Sequence, residues 1–422
     1  MSVKLYRKSQ RINARNQNIE EMVQHPDWGS ESRLSMIQML IPLGLQAVEN
    51  VLQNEVKWLV GGGRHERTAS SNKRWGQNPG SVFLGDQKLK INVPRVRDLD
   101  AGEEVPLNSY KRLQDPGHLD ELALARVING ISQSKYERAA ESVPETFGIK
   151  KSSVSRKFIR ASAKRLEAFL SRDLSAYDIV AIFIDGKFFA ENELVIALGV
   201  TITGEKIVLG FVETSTENHK VCKDFLTGLK NRGLNLDQEI LFIIDGGKGI
   251  RKGITEIMGN NALIARCQWH KRENVLSYLA KERRAGWKRR LQAAYEQNSY
   301  DLAKKALAAL KLELKEINLS AAASLDEGME ETLMLQRLGM FEKLGRSFKT
   351  TNCIENVNKS LEIYTGRVSR WQNSDQRQRW VATALLEIEP RLNSVMGHEH
   401  LKELREAMKR FVIGQKKEKI AA

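Results

Sequence analysis

Residues 179–214 read IVAIFIDGKFFAENELVIALGVTITGEKIVLGFVET and hold three apolar, β-branched runs of strand length, at 179–184, 194–202 and 206–212. Runs of that kind are strand signals, and the short turns between them, Lys187–Glu193 and Thr203–Glu205, predict an antiparallel meander. Two further runs follow, ILFII at 240–244 and LIA at 263–265. Helical stretches separate them. Val221, Phe225 and Leu229 recur at helical spacing on one face before Gly233 ends the helix, and a glycine-flanked helix spans 250–258.

Three antiparallel strands, a helix, then alternating strand and helix is the element order of a ribonuclease H-like α/β fold. That domain is expected over 176–275 and 346–395. Between its halves, 276–345 is charged and carries no strand-like run; Leu307, Leu310, Leu314 and Ile317 form a helical stripe there. An all-helical insertion is expected. Upstream, 1–118 reads as a helical and β-hairpin region. Helices cover 33–60 with Pro42 breaking or kinking them, a polar loop covers 64–80, and a hairpin turns at Gly85-Asp86 with Pro94 on an edge. Residues 119–175 read as a helix-turn-helix. Its first helix carries Tyr136, Ala139 and Ala140, Gly148 supplies the turn, and Ser152 or Ser153 can cap the second helix. On that second helix Ile159, Ala163, Leu166 and Leu170 are expected to face a core. Arg156, Arg160 and Lys164 form a basic stripe on another face. Residues 396–422 read as a basic C-terminal helix or tail.

The 422-residue chain carries 67 Lys plus Arg against 52 Asp plus Glu, a formal charge of +15, which calls for a polyanionic partner. No run of 18 apolar residues argues for a membrane span, and the polar, basic start lacks the apolar core of a secretory signal. Cys222, Cys267 and Cys353 are few, scattered and odd in number, as reduced thiols in a cytosol would be.

Asp185 and Asp245 each follow an apolar strand run and precede glycine, in IFIDG and FIIDGG. Strand ends hold side chains rigidly, and carboxyl ends of strands are where open α/β sheets bind ligands. Taken singly, each Asp-Gly is more often a structural turn; as a pair in this strand order they suit Mg²⁺ or Mn²⁺. Two cations held about 3.5–4 Å apart for attack on a phosphodiester need a third carboxylate. TTNCIENVNKSLEI (350–363) offers one: Thr350 or Thr351 can cap a helix on which Asn352, Glu355, Lys359 and Glu362 share a face. On the residues alone, Glu355, Glu362 and Glu273 stay open, as does a merely solvated helix.

Cys267 and His270 form C-x₂-H, too few ligands for a closed zinc site; a buried Cys and a hydrogen-bonding His near the acids is the plainer reading. KERRAGWKRR (281–290) sets Arg283, Arg284, Lys288, Arg289 and Arg290 around Trp287. Either the indole stacks on an unpaired base while the cations grip phosphates, or it is a core residue of a solvated helix.

Over roughly 60–395 the chain resembles the Mutator-type transposases of bacterial insertion sequences. The resemblance is carried by VPRVR (93–97), ELALARVINGISQSKYERAAESV with VSR (154–156), and the strand at Asp185. It continues through LGVTITGEKIVLGFVETSTEN, FLTGLKNRGL, IIDGGKGI, RCQWHKRENVL and TTNCIENVNKSLE, in order. It implies a ribonuclease H-like domain with a helical insertion before the last acid, which makes Glu355 the third carboxylate. Asp185, Asp245 and Glu355 are then the catalytic, metal-holding residues, with two Mg²⁺ or Mn²⁺ ions and with Cys267, His270 and Asn352 in support. The short GKFFAENE after the first acid, and DGGKG at the second, depart from many relatives. The implied activity is metal-dependent strand cleavage at element ends and strand transfer into target DNA. The implied partners are double-stranded DNA (terminal repeats and target) and further copies of the chain in a homodimer or larger synaptic assembly, in the bacterial cytoplasm at the nucleoid and without a membrane partner. A ribonuclease H-like nuclease without strand transfer, or an inactive DNA-binding relative, are the alternatives.

Overall fold

The computed structural model describes residues 30–63, 66, 69–84, 87–114, 124, 125, 127, 128, 151–215 and 218–421. The chain falls into two units that divide between Ala161 and Ser162.

In the first unit, α1 (Ser30–Val60) runs as one 31-residue helix. Pro42 does not end it: one forfeited hydrogen bond is small against a helix of that length. Gly61, at φ +79°, does end it. Val48, Leu52, Val56 and Val60, four apart, pack on Val82, Ile91, Val93 and Val96 of the hairpin β1 (Asn72–Leu84) and β2 (Gln87–Asp98). Strand β1 therefore begins inside the stretch expected as loop. Its mostly polar residues 72–80 pair with 98–91 across a register shift between Arg74 and Gln77, and β2 supplies most of the apolar face that their composition lacks. The hairpin's Gly85-Asp86 turn lies outside the described residues. A two-residue β3 (Glu104–Val105) pairs with β2 only at Val96 and Arg97, so Pro94 lies beyond that pairing. A short α2 (Asn108–Leu113) follows.

The expected first helix and turn of the helix-turn-helix, with Tyr136, Ala139, Ala140 and Gly148, lie outside the described residues. Helix α3 (Lys151–Ser171) covers the stretch expected as the second helix of that motif. The face differs from expectation: Ile159 and Leu170 are exposed, and Phe158, Ala161 and Phe169 are buried. The buried face is turned by about one residue from the expected one, because the two phenyl rings of Phe158 and Phe169 bring more area than Ile159 and Leu170 beside them. Arg156, Arg160 and Lys164 are exposed, as a stripe opposite such a face should be.

In the second unit, β4 (Ile179–Phe189), β5 (Asn192–Thr201) and β6 (Lys206–Thr214) form the antiparallel meander. Helix α4 (His219–Asn231), β7 (Leu241–Ile244), α5 (Lys248–Met258) and β8 (Leu263–Arg266) follow. The sheet order is β6-β5-β4-β7-β8, with β7 parallel to both β4 and β8. Pairing of β4 with β5 runs on to Phe189 opposite Asn192, which leaves Ala190-Glu191 as the turn, Ala190 at φ +54°. Strand β4 is longer than expected, and Asp185 lies within it. Phe189 accounts for the extension, being buried with its ring against Trp371 at 5.1 Å.

One face of this sheet (Ile182, Ile184, Val195, Phe242, Ile244) packs on α4 and α5. From α4 it takes Cys222, Leu226 and Leu229, with Phe225 alongside. On the opposite face Phe183 stacks on Phe348, ring centroids 5.7 Å apart. Helices α6 (Gln268–Ser277), α7 (Lys281–Tyr295), α8 (Tyr300–Ile317), α9 (Leu319–Asp326), α10 (Met329–Thr332), α11 (Met334–Arg337) and α12 (Phe341–Phe348) come next. Most of these share a core of their own, built from Leu276, Trp287, Leu291, Leu307, Leu310, Leu314 and Leu325 among others. Ile317 leaves the expected stripe and is exposed, at the last residue of its helix. Helices α13 (Asn352–Thr365), α14 (Ser374–Ile388) and α15 (Leu401–Ala421) close the unit. No helix of the described residues is long and apolar enough to cross a membrane.

Candidate active site

Strands β4 and β7 are parallel and in register at Ile184 and Ile244, so the next residue on each chain is an aspartate, Asp185 and Asp245. Alternation along β4 sends Ile182 and Ile184 into the core under α4 and α5 and turns Phe183 and Asp185 to the other face. There α13 lies against β4. Its apolar stripe, Ile354, Val357, Leu361 and Tyr364, is buried. Beside that stripe Thr351, Glu355, Asn358 and Glu362 follow one another a turn apart.

Asn358 is buried and its Nδ2 donates to Asp185 Oδ2 at 2.8 Å. Asp245 Oδ1 accepts from the Gly247 N–H at 2.9 Å, which closes the turn into α5. Thr351, fully buried, donates from Oγ1 to Glu355 Oε1 at 2.8 Å. The same hydroxyl lies 3.3 Å from His270 Nδ1 and 3.5 Å from Cys267 Sγ. Gly246, at φ +119°, has the Arg266 guanidinium pressed so closely against it that any side chain would collide. Arg266 in turn reaches Glu327 across from the helical segment.

Burial pushes the Asp185 carboxyl up to about 7 from an ordinary 3.8; the charge of Asp245 adds to this, and Glu355 adds further. His270 and the amide of Asn358 act in the opposite direction. Three carboxylates thus share one electrostatic neighbourhood with too little positive charge in it. His270 is raised, first by its hydrogen bond to Cys267 and then by the charges of Cys267, Asp245 and Glu355, against the effect of burial. Burial acts to raise the Cys267 thiol, and hydrogen bonds from His270 and Thr351 outweigh it, so the thiol is lowered.

The structure separates the three glutamates. Glu362 is exposed and paired with Lys187, and Glu273 is paired with Arg272 and Lys288, whereas the charge of Glu355 acts on Asp185. Asn352 is exposed, and its backbone N–H reaches Thr350 Oγ1. The amide that reaches an acid is Asn358, and sequence reasoning misses Thr351 as a site residue as well. Both have a signal: each continues at helical spacing from Glu355, and Asn358 also borders the apolar stripe, next to Val357.

Hard oxygen donors and a shortage of positive charge fit a divalent cation. As the side chains stand, no three His, Cys, Asp or Glu of the described residues are grouped as a metal cage. Among the basic residues of α7, Arg283, Arg284, Lys288, Arg289 and Arg290 are exposed. Trp287 is buried in the helical core with the Arg290 guanidinium 4.6 Å over its ring. Its face is spent inside the protein, so the core reading of Trp287 replaces base stacking.

The chain belongs to the Mutator family of transposases, whose family model matches residues 33–391. It is 24% identical over 348 residues to the transposase for insertion sequence element IS905 of Lactococcus lactis, covering 80% of this chain and 85% of that one. It is also 24% identical over 353 residues to the transposase for IS256 in transposon Tn4001 of Staphylococcus aureus, covering 80% and 87%. With the transposase for ISRM5 of Rhizobium meliloti it shares 24% over 384 residues, covering 87% and 93%.

Proposed function

We propose that this transposase cleaves DNA strands at the ends of its element and joins the freed ends to target DNA, with Asp185, Asp245 and Glu355 as the metal-holding acids. The observation that carries the reading is that Asp185, within β4, stands beside the end of β7 where Asp245 follows, with the charges of Asp245 and Glu355 both acting on it. The sheet order, three antiparallel strands then two parallel ones flanked by α4 and α5, supports a ribonuclease H-like catalytic domain. Helices α7 to α12 are its insertion. When bound, Mg²⁺ or Mn²⁺ would lower the pKa of the attacking hydroxyl and stabilise the leaving oxygen.

The protein's own contribution is position and charge. Asn358 fixes the rotamer of Asp185 by donating to one oxygen, leaving the other available as a ligand. His270 adds a cationic neighbour that relieves part of the repulsion among the acids. The exposed cations of α3 (Arg156, Arg160, Lys164) and α7 (Arg283, Arg284, Lys288, Arg289, Arg290) contact phosphates and contribute affinity without sequence reading. Two element ends must be held together to be joined, so the active form is a dimer or larger assembly.

The test is incubation of the purified protein with element ends, target DNA and Mg²⁺, scored for nicks and joined products. Asp185→Asn and Glu355→Gln are expected to abolish both products and to leave end-binding intact. Wild-type product yields from either variant would remove that residue from the site.

A further inference from the structure

We propose that Thr351 is a positioning residue: its buried hydroxyl holds the Glu355 carboxylate in register with Asp245 by bridging it to the Cys267–His270 turn. The inference rests on Glu355 being the third acid, and it assigns work to Cys267 and a second, structural one to His270.

A threonine just ahead of a helix ordinarily spends its oxygen on capping the first turn. Thr351 stands at that position of α13 and makes no side-chain cap. At 2.8 Å from Glu355 Oε1, one helical turn ahead, its hydroxyl is best placed to donate there, and Cys267 Sγ at 3.5 Å is the second acceptor the proton can reach. An oxygen lone pair is left for His270 Nδ1 at 3.3 Å.

The Cys267 turn is itself fixed at both ends. The Cys267 N–H donates to the carbonyl of Ile244, the residue before Asp245, at 2.8 Å. The Gln268 N–H donates to the carbonyl of Lys349, two residues before Thr351, at 2.9 Å. A short hydrogen-bonded route therefore runs from the end of β7, through Cys267, to Thr351 and Glu355. It joins segments that the helical insertion separates in sequence. Without the last link Glu355 keeps its place on the helix, but its side chain can turn to other rotamers.

A purely packing role and a positioning role predict opposite orders for two substitutions. Thr351→Val keeps the shape and deletes the hydroxyl; Thr351→Ser keeps the hydroxyl and deletes a methyl. Each purified variant is compared with wild type in single-turnover cleavage of element ends, in affinity for those ends, and in Mn²⁺ binding to the free protein by electron paramagnetic resonance.

Thr351→Val is expected to cleave about 10–100-fold more slowly, the usual scale for removing a group that orients a ligand, and to bind Mn²⁺ correspondingly more weakly. Its affinity for DNA should be unchanged, and Thr351→Ser should stay within about threefold of wild type in all three, on the same scale. If Thr351→Val does not fold, the pair Thr351→Ser and Thr351→Ala isolates the hydroxyl, and the same difference is expected between them. Wild-type cleavage and Mn²⁺ binding in Thr351→Val, or greater damage in Thr351→Ser, overturns the proposal. If Glu355→Gln abolishes cleavage while Thr351→Val is intact, only the positioning role falls. If Glu355→Gln cleaves normally, the assignment of the third acid falls with it.

Discussion

Asp185→Asn should stabilise the metal-free protein at alkaline pH while destroying its activity. A carboxyl raised from 3.8 to about 7 holds its proton more tightly in the folded state than in the unfolded one. Between those values the folded state binds more protons, so stability falls as pH rises, and the whole cost is present above pH 7. A rise of that size corresponds to roughly 4 kcal/mol. Asparagine carries no charge and can still accept the hydrogen bond from Asn358, so the variant escapes the cost. Denaturant unfolding in the presence of a chelator reads it directly. At pH 8 the variant is expected to be more stable by up to about 4 kcal/mol, and near pH 3.5 the two proteins should converge. Saturating Mg²⁺ should close the gap at pH 8 from the wild-type side. A variant less stable than wild type at pH 8, or a difference that does not change with pH, would refute the account of Asp185 as a buried acid strained by its neighbours.

Trp287→Ala should cost about 3–5 kcal/mol in denaturant unfolding, as for a core aromatic, with DNA affinity of the folded fraction unchanged. Gly246→Ala should destabilise by about 2 kcal/mol or more beyond Gly259→Ala. Both positions have positive φ, but only at Gly246 does the new methyl meet the Arg266 guanidinium. Replacing Arg156, Arg160 and Lys164 together by alanine should flatten the salt dependence of DNA binding, by about 0.9 in log–log slope for each phosphate no longer neutralised. An unchanged slope would remove α3 from the DNA-binding surface.

Much of the second unit is legible in the chain because its strands are buried on both faces and appear as continuous apolar runs. The two aspartates stand out for the same reason, each being the first charge after such a run. Side-chain direction on helices is not legible in the same way. On α13 the family resemblance selects Glu355, but residues alone do not tell which flank of the apolar stripe meets β4, so they point to Asn352 rather than Asn358. On α3 the unbroken apolar spacing of Ile159, Ala163, Leu166 and Leu170 is outweighed by two phenyl rings one residue away, and the face carrying Phe158 and Phe169 is buried. Strand β1 is obscured by polarity, since its pairing depends on apolar partners supplied from β2 and α1. The turn after Asp185 falls later than the local sequence suggests because the Phe189–Trp371 contact that lengthens β4 is remote in sequence.

The helical insertion also sets a timetable. Asp185 lies on β4 and Asp245 directly follows β7, which pairs with it, while Glu355 is encoded 110 residues after Asp245. At about 5–20 residues per second, a ribosome needs roughly 5–20 s to cross that interval. During it the nascent polypeptide has two acids and lacks the third, and on the proposed reading a product aborted there is inert toward the host chromosome.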